Sequence, residues 1–132
     1  MHLSIKLALG FIALVLGVGV GARFLFAPVA TSAEFGIVLE GSRALNQIRG
    51  DIGGVFVGLA GLTILGIVRS EPRFFEAVAI CVLGVLTARV IGFVFDGGID
   101  PESVVAAGLE LIFAGVLFLA ARRLDEPGAS ER

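Results

Sequence analysis

The sequence predicts an all-α polytopic membrane protein, a four-transmembrane-helix bundle, and three observations carry that prediction. Hydrophobic residues make up 57% of the 132-residue chain, and its mean hydropathy of +1.01 exceeds what a soluble core of this size buries. Four apolar runs are each close to the ~20 residues that span a bilayer. Charged or helix-breaking segments at Asp51, Pro72 and Pro101 separate them. A single membrane domain over 1–124 therefore accounts for nearly the whole chain, with 125–132 as a flexible tail.

The first helix is expected at about 5–26. Its apolar run follows Lys6 and resembles a secretory signal, with Thr31-Ser32-Ala33 as a loose small-residue site. Arg23 interrupts the run, Phe24 to Phe26 resume it, and the small-residue site lies too far beyond the core, so a retained helix is the better reading. An outer loop, 27–50, comes next. Within it Ser32 to Leu45 has Phe35, Val38 and Leu39 at helical spacing behind a capping serine, which predicts a short interfacial helix. That helix is either a connector resting on headgroups or a lid over a cavity.

The second helix, 51–69, carries no charge from Ile52 to Val68 and ends at Arg69-Ser70-Glu71-Pro72, because proline cannot continue the ladder. The third is expected at 73–96. The fourth, 101–122, opens with Asp100-Pro101-Glu102, an acidic cap followed by proline at the first helical position. With four spans, one side carries Lys6, Arg69, Arg73, Arg122, Arg123 and Arg132, and the other only Arg23, Arg43 and Arg49. The bias toward retained basic residues makes both termini cytoplasmic.

Several function classes are excluded by composition. A formal net charge of −2 without a basic stripe argues against nucleic-acid binding. The single Cys81 cannot form an internal disulfide, and no cysteine–histidine pattern for a metal exists. With His2 the sole histidine and no tyrosine or tryptophan, haem ligation, a histidine base and a cysteine nucleophile are disfavoured. Asp96, Asp100 and Glu102 read as a solvated cap rather than a cation site. No catalytic residue, cofactor or metal is assigned.

Arg89 and Glu110 are the informative exceptions, each alone inside a run long enough to span the bilayer. Both lie on the order of 12 to 15 Å from the connecting turn, where an unpaired charge costs several kcal/mol. They are expected to meet. Arg49, Asp51, Asn46 and Gln47 gather at the outer end of the second helix, and Asp96 and Arg23 also fall on the outer side. Two readings stand. One is a satisfied network in which Arg89 pairs with Glu110 and Arg49 with Asp51 or Asp96. The other is an outward pocket in which Arg49, Arg89, Asp96, Glu110 and Asp51 hold a small polar or anionic ligand.

Glycine is abundant, with 19 in the chain. Gly17 and Gly21 form one G-x-x-x-G pair, Gly54 and Gly58 another that Gly61 extends, and Gly92 lies beside Arg89. Small residues allow close helix approach in lipid, where the hydrophobic effect does not drive association. In the third helix Cys81, Gly84, Ala88 and Gly92, and in the fourth Ser103, Ala106, Ala107 and Ala114, are expected to form facing surfaces.

The order Arg49-Gly50-Asp51-Ile52-Gly53-Gly54, Arg89-Val90-Ile91-Gly92, Asp96-Gly97 and Glu110 resembles a bacterial family of small four-helix integral membrane proteins classed as a domain of unknown function. The resemblance spans most of the chain. It departs at Ile52, where the family often carries tyrosine, and in its proline, which stands here at Pro101. The resemblance implies the bundle and a shared polar site, and supplies no activity. The expected role is an accessory or assembly subunit that packs in the bilayer against partner membrane subunits or itself. The alternative is a ligand binder or carrier using the outer pocket, with a membrane enzyme third.

Overall fold

The computed structural model describes residues 2–95 and 100–125. They form five helices: α1 (Leu3–Phe26), α2 (Pro28–Glu34), α3 (Gly41–Arg69), α4 (Pro72–Phe95) and α5 (Pro101–Asp125). No strand occurs among the described residues. All but α2 are long and apolar enough to cross a membrane, and the chain is a multi-pass, all-α membrane protein. The expected tail falls outside the described residues from 126 onward.

Proline sets the breaks. Ala27, before Pro28, leaves the helical region at φ −131° and ψ 53°, as the ring of a following proline demands. Pro72 and Pro101 each open a helix, where their missing N–H costs nothing. Asp100 caps α5 as expected, its Oδ1 accepting the Ser103 N–H at 2.7 Å. Helix α3 ends differently. Ser70 takes a left-handed φ of 52°, and the Glu71 N–H folds back onto the Gly66 carbonyl at 3.3 Å.

The segment between α1 and the second span corrects the expectation. Helix α3 begins at Gly41, ten residues before the expected start at 51, so the loop expected over 27–50 shrinks to Ala27 and the stretch 35–40. Ser42, Arg43, Asn46 and Gln47 lower the hydropathy without breaking the helix, because hydropathy marks where a helix meets lipid and not where its hydrogen bonds stop. The interfacial helix expected from Ser32 to Leu45 does not form as one piece. Ser32 lies inside α2, which Gly36 ends at φ +69° with Ile37 N–H bonding the Ser32 carbonyl.

Two compact units divide the chain, one of Met1–Leu9 with Leu65–Arg132, the other of Gly10–Ile64. In the first, α4 and α5 form an antiparallel hairpin. Phe75, Val78, Ala79 and Val82 line one stripe of α4, and Phe113, Ala114, Leu117, Ala120 and Ala121 one stripe of α5, all buried. From 83 to 95 and from 101 to 112 no residue is buried. The hairpin is therefore tightly packed away from its turn and open toward it.

In the second unit, α1 and α3 meet where both helices widen into π-turns, Val15–Ala22 and Arg49–Gly54. A side chain on Gly21 would lie 2.9 Å from the Val57 nitrogen and 3.1 Å from the Gly53 carbonyl, and one on Gly53 would strike Leu25. Glycine is required here because backbone meets backbone.

Candidate functional site

The turn of the hairpin brings Arg89 and Glu110 together. Arg89 stands six residues before the end of α4 and Glu110 nine after the start of α5, about 9 and 14 Å along their helices. The long arginine side chain spans the offset. Its Nη2 donates to Glu110 Oε1 at 2.8 Å and its Nε to Oε2 at 3.3 Å. This is a two-pronged pair, the strongest geometry a guanidinium and a carboxylate offer. It is not sealed: the side chains remain 28% and 16% exposed.

Arg49 sits elsewhere, in the other unit. It does not bond Asp51, one of the two partners, Asp51 or Asp96, that the network reading gave it; its Nε donates to the Leu25 carbonyl at 3.1 Å. Leu25 belongs to the last turn of α1, where carbonyls lack partners within the helix. A guanidinium there fills an orphan acceptor and opposes the negative end of the helix dipole. Asp51 is exposed at the second π-turn. Asp96 lies outside the described residues.

Arg23 pairs with Glu34, a residue the sequence reading left unassigned. The two are 11 positions apart, and only the reversal at Ala27-Pro28 makes them neighbours. The Thr31 hydroxyl donates to the Arg23 carbonyl at 3.2 Å, and Phe24 stacks on Phe35 at 5.7 Å between ring centres. Together with Arg49, these contacts bind α2 and the start of α3 to the end of α1. A proline between an arginine and a glutamate was the one signal that hinted at this fold-back.

The glycines divide. A side chain on Gly17 would press the Ala60 Cβ at 3.0 Å, and Gly21 packs as described, so both lie against α3. On α3, Gly53 packs against Leu25 of α1. Among the described residues Gly58 and Gly61 have nothing within 4 Å, and Gly54 meets only its own helix. Gly66 was not singled out, yet a side chain there would sit 2.6 Å from the Phe75 ring. Gly92 is half-buried on α4.

The facing surfaces expected for the hairpin are half corrected. Ser103, Ala106 and Ala107 are half-buried and Ala114 is buried, but Cys81, Gly84 and Ala88 are exposed. The stripe of α4 that meets α5 runs through Phe75, Val78 and Val82 instead, and the small residues lie around the helix from it.

Among the described residues no group of three or more His, Cys, Asp or Glu could hold a metal ion. The family model described as "Domain of unknown function (DUF4345)" matches residues 4–121. Neither the curated proteins nor the solved structures contain a match to this chain.

Proposed function

We propose that this chain, which belongs to the DUF4345 family, is an accessory or assembly subunit of a bacterial inner membrane, with both termini cytoplasmic. It packs against a partner membrane subunit or a second copy of itself. One observation supports this over ligand binding: every arginine invoked for a pocket already has a partner in the chain. Arg23 is paired with Glu34, Arg89 with Glu110, and Arg49 with a helix-end carbonyl. A ligand would have to compete with these bonds for the same guanidinium groups.

The features without an internal use favour docking. Gly54, Gly58 and Gly61 leave an open line on α3, and small residues along a membrane helix let another helix approach closely. Orientation rests on Lys6, Arg69, Arg73, Arg122 and Arg123 at one end of the spans.

Mild extraction from the native membrane followed by native mass spectrometry tests the proposal. A stoichiometric protein partner, or a multiple of the chain mass, is the expected result. A single chain carrying a small molecule that Arg49→Lys or Arg89→Ala releases would replace the proposal with the binder reading. Reporter fusions at the C-terminus check the orientation, and an external C-terminus would overturn it.

A further inference from the structure

Four arginines stand where the spans of the first unit end. Arg69 closes α3, Arg73 opens α4 just before Phe74, and Arg122 and Arg123 follow Ala121 in the last turn of α5. Because α4 and α5 run antiparallel, Arg73 shares the tightly packed end of the hairpin with Arg122 and Arg123. All four are exposed. An apolar span begins or ends within a residue of each, so the guanidinium groups reach the depth of the phospholipid headgroups.

Each arginine heads an apolar surface that faces away from the core. On α4 the buried side is marked by Phe75, Val78 and Val82, and Arg73 lies on the opposite side, in line with exposed Ala77 and Ile80. Arg122 and Arg123 lie off the buried stripe of α5, one turn beyond exposed Leu119, and Arg69 lies one turn beyond exposed Leu65. Turned outward from different helices, they make a collar and not a pocket. A phospholipid matches such a surface in both its parts, phosphate against guanidinium and acyl chain against apolar side chain.

The chain leaves the charge of this collar largely unanswered. Glu71 approaches Arg73 only to 3.9 Å, and among the described residues no carboxylate pairs with Arg69, Arg122 or Arg123. Lys6, exposed in the same unit, adds to the positive charge, which Glu71, Glu76 and Asp125 do not balance. The first turn of α4 holds no acidic residue to offset the positive end of its dipole. At the turn end of the hairpin the described charges have the opposite sign, with Asp100 and Glu102 and no base outside the Arg89–Glu110 pair.

We infer that this end of the first unit is a docking collar for anionic phospholipid headgroups, which Arg69, Arg73, Arg122 and Arg123 select over zwitterionic ones. The collar is independent of which subunit the chain assembles with.

Native mass spectrometry of the full chain in detergent, with phosphatidylglycerol or phosphatidylcholine of the same acyl chains added, isolates the effect of the headgroup. Phosphatidylglycerol should be retained several-fold more strongly, and by more than one molecule per chain, since the arginines point apart. The preference should shrink as ammonium acetate is raised. Arg73→Gln combined with Arg122→Gln and Arg123→Gln should bring the two lipids close to equality. Lysine at the same three positions keeps the charge and should keep the preference, and Arg43→Gln, in the other unit, should leave it unchanged. Equal retention of both lipids by the wild type would overturn the inference, as would a preference that survives the triple glutamine variant or is lost in the triple lysine one. Inorganic phosphate, which has no acyl chain, should not displace the lipid. Displacement by it at millimolar concentration would assign these arginines to a free anion instead.

Discussion

Arg89 and Glu110 share two hydrogen bonds, at 2.8 and 3.3 Å, in the half of the hairpin where no residue is fully buried. Neither charge is supported by a packed core around it. Each is held in the apolar span chiefly by the other.

Removing one partner should therefore hurt more than removing both. Arg89→Ala strands a carboxylate in the membrane, while Arg89→Ala with Glu110→Ala leaves neutral surface. A thermal-unfolding double-mutant cycle in detergent should show the double variant more stable than Arg89→Ala, with a coupling of about 1 to 3 kcal/mol. Additive losses would show that the two residues act independently.

The glycines should sort by what lies opposite them. Gly21→Ala meets the Val57 backbone and Gly66→Ala the Phe75 ring, and each should cost about 1 to 3 kcal/mol. Gly58→Ala enters open space and should stay within about 0.5 kcal/mol of the parent. Equal losses in all three, read from unfolding midpoints, would contradict the packing described.

Arg49 is predicted to act as a clasp on the end of α1. Arg49→Ala removes the donor to the Leu25 carbonyl and should cost about 1 kcal/mol. Hydrogen exchange should quicken at the Ala27 amide, which bonds the Arg23 carbonyl in the same turn. Unchanged exchange there, with altered small-molecule retention, would return Arg49 to the pocket reading.

Asp100 gives a pH dependence of known sign. Hydrogen bonds from Ser103, first from its side chain and then from its backbone N–H, hold the Asp100 carboxyl below its ordinary value. A depressed value in the folded chain means that this stability is fully present above the unfolded value and is lost as pH falls through the folded one. Asp100→Asn keeps the cap geometry without the charge. It should flatten the acid limb of the stability curve between those two values, and an unchanged limb would show that the cap is not ionic.

Ser70 occupies the left-handed position after α3 that Gly36 fills after α2. Ser70→Gly should raise stability by about 0.5 to 1 kcal/mol, since glycine takes that conformation without a side-chain clash. A loss of stability would mean that the serine side chain holds the α3–α4 turn in place.

The sequence by itself determined the class, the four spans, three of the helix ends and the Arg89–Glu110 meeting. Each follows from a local or one-dimensional property. Hydropathy counts the spans, prolines 72 and 101 mark breaks, and a short turn places two lone charges at similar depth. It did not disclose that α3 starts at Gly41, because polar residues end an apolar run without ending a helix. The tertiary structure alone decided that Arg23 bonds Glu34 and Arg49 the Leu25 carbonyl, since both depend on the chain folding back at Ala27. It also decided which small residues touch. Gly53 and Gly54 are neighbours in sequence, but a helix turns each residue about 100° from the last. Gly53 thus packs against α1 while Gly54 stays open, a choice made by where the neighbouring helix lies.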